Sequence, residues 1–494
     1  MKKKGIVSIV IAALLVMTML SGCGGSAGKG GESSKSSSAK SAVAESAGAE
    51  SSSAKSAVAE SASAESSSAV AESTGAEEST SAAKEAESSS AAKSEATGEV
   101  IKIGYVNPTT GPLAGNGEGC DWVVKQIESY VNDTLGGIEV DGAKSNIKVI
   151  VYDSASDQAT CAEMADKLCV EDEVDLIVAI QTPETVIPVE AKAEQYEVPC
   201  VGIQAPVNPC AFASDDHAWT VHAFWTIEKV YEQHKALWEA AGYAPNTGAK
   251  VGIAFANDSD GSAWYQIFTE NLEKDGYVLV DPGQYPSGTD DFSNIVKKYK
   301  DEDIDILAGT NIPPDFNNLY TQMIAADVEV GCITMGKCCL LPGDVAALGD
   351  MVEGIMSEVW WAPNYPYTSG LTGISCADLG AAYLADNGGV MPQPAGYAYA
   401  ALELAVQAFT NAGTTDKEAV MEALRALDVE TIVGPIKYDK EMNGLAYGDT
   451  VIAGGQWQKG EDGTWNLVVI DATTYPELEV AITGEYKEGN ATIK

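Results

Sequence analysis

From residue 99 onward the chain alternates between two hydrophobic patterns. "VIKIGYV", "IKVIVYD", "VDLIVAI", "VPCVGI", "AKVGIAFA", "YVLVD", "IDILAG" and "VGCITM" are short, nearly continuous apolar runs, as expected of strands buried on both faces. Between most of them lie helical patterns: "CAEMADKLCVED", "PVEAKAEQY", "YQIFTENLEKDG" and "DFSNIVKKYK". This alternation predicts an α/β protein with parallel sheets flanked by helices. The rhythm restarts near 218–226, and about 395 residues are too many for one small core, so two lobes are expected. Three later helical stretches (371–387, 394–412 and 415–427) and short terminal strands close the chain.

Ligands of such sheets bind beyond the carboxyl ends of the strands. "IGYVNPTTGPLAGNGEG" (103–119) runs from one of those ends through a Gly-rich loop into the helical "CDWVVKQIESYV". Free backbone N–H groups and a helix dipole there make a seat for an anion.

The first hundred residues read differently. "MKKKGIVSIVIAALLVMTMLSGCGG" carries three lysines, an apolar stretch too short for a comfortable membrane span, and then small residues, which is a secretory signal. Residues 36–50 recur at 51–65 with one substitution, and a third copy begins after them. Such Ser/Ala/Glu repeats cannot bury a core, so 24–98 is expected to act as a disordered tether reaching on the order of 50 Å.

The chain has 72 acidic and 30 basic residues; beyond residue 98 the balance is 61 to 21. That argues against nucleic acid and anionic membrane surfaces as partners. Arg425 is the sole arginine, which disfavours a buried arginine clamp on a ligand. Besides Cys23 there are nine cysteines and no CxxC spacing, so metal and redox chemistry are not expected and at least one thiol stays free unless chains cross-link.

Several motifs come close and fail. "GCITMGKC" (331–338) lacks the hydroxyl of a phosphate-binding P-loop and looks like a strand. "NDSDGSAW" (257–264) and "DKEMNGLAYGDT" lack calcium-loop ligands at required positions. Cys120 stands where a dinucleotide fingerprint needs glycine or alanine, and G-x-S-x-G and HExxH are absent. Of the three histidines, His217 reads as a loop residue, His234 as an exposed helix position, and His222 as a residue at the lobe junction, either packed in the core or hinge or within reach of a ligand. Nothing assembles a nucleophile, base and oxyanion site, so no enzyme and no cofactor is expected.

These segments together carry a resemblance. Leu20-Ser21-Gly22-Cys23 is similar to a bacterial lipobox. With "IKIGYVNPTTGPLAGNG", "YDSASDQATCAEMADKLCVEDEVDLIVAI", "DFSNIVKKYKDEDIDILAGT" and "IVGPIKYD", it resembles the solute-binding lipoproteins of ABC importers, in particular the branched-chain amino-acid-binding, type I periplasmic binding proteins. The resemblance implies a signal peptide at 1–22, a lipidated Cys23 and tether over 23–98, and two Rossmann-like lobes. Lobe 1 would be 99–220 plus 361–434 and lobe 2 would be 221–360 plus 435–494, with hinge crossings near 219–224, 357–362 and 434–438.

The resemblance also implies that Thr182 and Gln204 hold a ligand carboxylate, although Thr182 equally suits a helix N-cap ahead of Pro183. Where relatives carry acids for an ammonium group, this chain has Trp225 or Thr226 and Lys337 or Cys338. Lys337 is therefore expected to favour a carboxylate or amide over a simple branched-chain amino acid. Asn116, Asp258, Asn311 and Asp315 lie in cleft-edge loops. Trp225, Trp264 and one of the adjacent Trp360 and Trp361 are expected to wall the cleft; Trp361 is the candidate. The implied function is capture of a small polar solute outside the cytoplasm by a monomer held to the membrane by its lipid anchor, and delivery to a permease. A ligand sensor for a separate signalling partner and, less favoured, an extracellular enzyme are the alternatives.

Overall fold

The computed structural model describes residues 96–488; the signal, the lipobox and the repeats lie outside the described residues. All eight strands expected from the apolar runs form, and so do the helices between them. No described helix is long and apolar enough to cross a membrane.

The first sheet orders its strands Lys440–Met442, Leu445–Gly448, Thr220–Ala223, Cys200–Ile203, Leu176–Ile180, Ile101–Asn107 and Ile147–Asp153. All neighbours are parallel except the first pair. The second sheet runs Trp465–Asp471, Ala453–Lys459, Met356–Val359, Cys332–Gly336, Ile306–Thr310, Lys250–Phe255 and Val278–Val280, antiparallel only at its first two junctions. Helix Gln393–Ala412 is buried along most of its length and packs on the first sheet, which is why its apolar pattern runs almost all round.

The chain passes from lobe 1 to lobe 2 between Ala223 and helix Ile227–Ala240, and returns after Val359. Two expected boundaries move. Thr220–Ala223 is still a lobe 1 strand, so the first passage follows it. The last passage falls between Gly448 and Ala453 rather than near 434–438. Gly434–Lys437 instead pairs with Asp428–Thr431 in a separate ribbon, and Leu445–Gly448 adds in parallel to the open edge of Thr220–Ala223. Strands of three or four residues carry too little periodicity to be placed from the sequence.

The Gly-rich loop after Ile101–Asn107 does seat an anion, and that anion is the chain's own. Asp153, at the end of the neighbouring strand, accepts Thr109 N–H at 2.9 Å, Thr110 N–H at 3.1 Å and the Thr110 hydroxyl at 2.7 Å. Gly119 then takes a left-handed conformation (φ 83°) to start helix Cys120–Ser129. "GCITMGKC" holds the strand Cys332–Gly336 and no phosphate cradle. The nine described cysteines are all free, and eight are buried.

Candidate functional site

The two sheets turn their carboxyl ends toward one another around a small, tightly lined cavity of about 40 Å³. Lobe 1 contributes Asn116 and the turns after two strands, Gln181-Thr182-Pro183 and Gln204 with Pro206. The passages between lobes contribute Phe224, Trp225 and Trp360; lobe 2 contributes Asp260, Trp264, Thr310, Lys337, Leu340 and Glu358. Gln181, Gln204 and Lys337 hold positive φ (97°, 62° and 64°), a costly conformation for residues with a Cβ that tends to gather at functional sites.

The rings of Trp225 and Trp264 meet edge to face at 6.2 Å, and those of Phe224 and Trp360 at 5.4 Å. Eight buried polar atoms of the lining make no hydrogen bond: Asn116 Oδ1, Thr182 Oγ1, Gln204 Oε1, Asp260 Oδ1, Thr310 Oγ1 and the indole nitrogens of Trp225, Trp264 and Trp360. Buried polar groups are normally satisfied, so this concentration marks a place built for something else to bond. Thr182 does stand at the N-cap of helix Pro183–Tyr196, yet its side chain makes no capping bond and its hydroxyl is left over.

Lys337 reaches the cavity but is not a free cation. Its Nζ lies 3.1 Å from Glu184 Oε2 and 3.1 Å from Asp260 Oδ2. Glu184, in the first turn of the lobe 1 helix, also accepts the Ser259 hydroxyl at 2.7 Å and Asp260 N–H at 3.0 Å from the lobe 2 helix Ser259–Lys274. A lobe 1 carboxylate is thus gripped by lobe 2, and the structure is a closed one. Burial raises the Glu184 carboxyl, but Lys337 and Ser259 outweigh it and hold the group down at about 2. Burial, with the charges of Glu184 and Asp258, pushes Asp260 up to about 7 against the pull of Lys337. Burial works against the charge of Lys337, yet its acidic neighbours keep its pKa above the ordinary lysine value. Glu358 adds a further lining acid, bonded to Ser357 Oγ at 3.1 Å and lying 3.3 Å from His234 Nε2. The two positions where relatives carry acids hold none here, and the acids that face Lys337 come instead from the helices that bear Glu184 and Asp260.

Of the candidates, Asn116, Thr182, Gln204, Trp225, Trp264 and Lys337 line the cavity. His222 does not; it is buried in lobe 1 against Glu190 at 3.1 Å. Asp258 caps its helix through Gly261 N–H at 2.7 Å. Asn311 bonds Ala254 O at 3.1 Å and the Tyr285 hydroxyl. Asp315 accepts Gly288 N–H at 3.0 Å from the first turn of helix Pro313–Ala325. Trp361 is buried and donates to Ile432 O at 3.1 Å, while Trp360 takes the cavity place expected of it, because adjacent residues of an extended chain face opposite ways. His234, expected to be exposed, is buried where its helix crosses the lobe 2 sheet.

The lining residues Gln181, Phe224, Asp260, Thr310 and Glu358 are not among the candidates read from the sequence, and Trp360 is there only the alternative to Trp361. Asp260 lay in the failed calcium-like loop. The others carried no local signal.

A family model described as periplasmic binding protein matches residues 100–461. Leu/Ile/Val-binding protein homolog 1 of Brucella abortus is 26% identical over 186 residues, which are 37% of this chain; the match spans about half (46%) of that relative's length. A leucine-binding protein from Thermotoga maritima superposes with TM-score 0.63 and 16% identity over 76% of this chain and 99% of its own. A solute-binding protein of an ABC transporter from Rhodopseudomonas palustris, in complex with 3,4-dihydroxybenzoic acid, gives TM-score 0.58 and 19% identity over 78% and 99%. Two mainly parallel sheets, three passages between them and a polar cavity at their facing carboxyl ends agree with that match over most of the chain, and the chain, with its type I two-lobe fold, belongs to the periplasmic binding protein family.

Proposed function

We propose that the protein captures a small polar solute between its lobes, outside the cytoplasm, and hands it to the permease of an ABC importer. Lipidated Cys23 would tether it to the membrane. The observation that carries the reading is the set of eight unpartnered polar atoms around one cavity between the lobes. The family's role, and the leucine-binding and solute-binding roles of the two structural neighbours, support the same reading.

The lining narrows the solute. Three indole N–H groups need acceptors; Asp260 Oδ1, Asn116 Oδ1 and Gln204 Oε1 need donors. With Lys337 already paired to two acids, a bare carboxylate finds no unpaired charge. The fit is to a compact solute carrying both donors and acceptors, amino-acid-like or amide-like, with a flat or ring-bearing part against the tryptophans. Thermal shift of the chain against amino acids, amides and aromatic acids tests this. A solute at 100 times its Kd should stabilise the fold by about 2.7 kcal/mol. Stabilisation only by simple mono- and dicarboxylates would overturn the solute class, and turnover of a bound compound would overturn the capture role.

A further inference from the structure

Behind the lobe 1 wall, away from the cavity lining, three side chains of metal-ligand type converge. Glu190 lies on helix Pro183–Tyr196, Cys210 on the short helix Val207–Phe212 and His222 on strand Thr220–Ala223. One donor atom from each falls within 4.8 Å of the others, and all three residues are buried.

The protons fix what this cluster lacks. His222 Nε2 sits 2.7 Å from Ala205 O. A carbonyl only accepts, so Nε2 carries the hydrogen. In the neutral ring Nδ1 is then a bare lone pair, and it faces Glu190 Oε1 at 3.1 Å. Two acceptors at that distance need a cation between them, either a shared proton or a metal ion. Strand residue Gly202 keeps the space open: a Cβ there would lie 2.0 Å from Glu190 Oε1 and 2.5 Å from His222 Nδ1.

We propose that Glu190, Cys210 and His222 hold a divalent transition-metal ion of the zinc class. Thiolate, imidazole and carboxylate are all zinc donors. At metal–ligand bonds of about 2.0–2.1 Å, a nitrogen and an oxygen 3.1 Å apart subtend roughly 100° at the ion, close to tetrahedral. A ligating histidine normally donates its other ring N–H to a carbonyl or carboxylate, as His222 does to Ala205. The ion replaces two protons, that of the Cys210 thiol and that of the His222–Glu190 pair, so the cluster stays neutral as its burial demands. The role is structural: the same helix begins with Thr182 and Glu184, the same loop carries Gln204, and the same strand leads into Phe224 and Trp225.

Metal content of the full chain, purified in detergent from zinc-supplemented medium, tests the site. The expected result is about one zinc per chain, and a cobalt-substituted form with thiolate-to-metal absorption in the near ultraviolet. Cys210→Ser should abolish that band, and Cys169→Ser, a half-buried thiol elsewhere in lobe 1, should keep it. Zinc below about a tenth of an equivalent, with a melting temperature indifferent to chelators, would overturn the proposal and leave the pair bridged by a proton. The wild-type measurement decides even if Cys210→Ser fails to fold.

Discussion

Replacing Lys337 by Met should open the molecule. In the closed structure Nζ makes two contacts of 3.1 Å, one to each lobe's acid. Each represents about 5 kcal/mol of gross attraction at an effective dielectric of 20, most of it offset by desolvation. Removing one partner of a buried pair costs about 3–5 kcal/mol, because the other charge is left uncompensated. Here two carboxylates are left, Glu184 and Asp260. Asp260, already at about 7, can relieve part of the cost by taking up a proton. The net effect on the closed state at pH 8 should be about 2–3 kcal/mol, roughly a 30- to 150-fold shift toward open forms, in which the acids are hydrated. Small-angle scattering should show a larger radius of gyration for the ligand-free variant, and calorimetric titration a weaker solute Kd. Glu184→Gln should do less, since Lys337 keeps Asp260. An unchanged radius together with an affinity within about twofold of wild type would refute the interlobe role of the bridge.

Four further outcomes are expected. Thr182→Val should leave the melting temperature nearly unchanged and weaken solute binding by about 1 kcal/mol, because its hydroxyl has no partner within the protein; equal binding would remove it from the site. Trp361→Ala should cost about 3–5 kcal/mol of stability as a core truncation, whereas Trp360→Ala should act chiefly on affinity, which denaturant melts and titrations separate. Burial first of all pushes Asp260, Asp344 and Glu403 up to about 7 and Asp315 up to about 6. Acids raised on folding bind extra protons in the folded state, so their contribution is full below about pH 4 and is lost as pH rises from there through about 6–7; Glu184, held at about 2, acts oppositely and its contribution is lost as pH falls below about 4.5. The melting temperature should therefore peak near pH 4 to 4.5, decline from there to about pH 7 and level off above it, and a steady rise between pH 4.5 and 7 would contradict the burial of these acids. Cys23→Ala should abolish labelling by a lipid precursor; persistent labelling would refute the lipobox reading.

The sequence by itself determined the layered α/β architecture and the site's location. Strands such as Leu176–Ile180 are apolar on both faces and cannot form except between helical layers; parallel sheets present ligands at their carboxyl ends, and within those turns it is the resemblance to the family that points to Thr182 and Gln204. It also narrowed the wall to Trp225, Trp264 and one of two adjacent tryptophans. What only the tertiary structure decided is partnership. Whether Lys337 is a free charge depends on Glu184, 153 residues away, and on Asp260, which sits at the first turn of a helix where acids are common for reasons of dipole alone. Whether Trp360 or Trp361 faces the cavity depends on the register with which the chain leaves Val359, and His222 became a neighbour of Glu190 and Cys210 because a helix and a strand pack there. Periodicity reports which face of an element is buried. It does not report what that face is buried against, and charge pairing, proton sharing and ligand contact are all properties of the second kind.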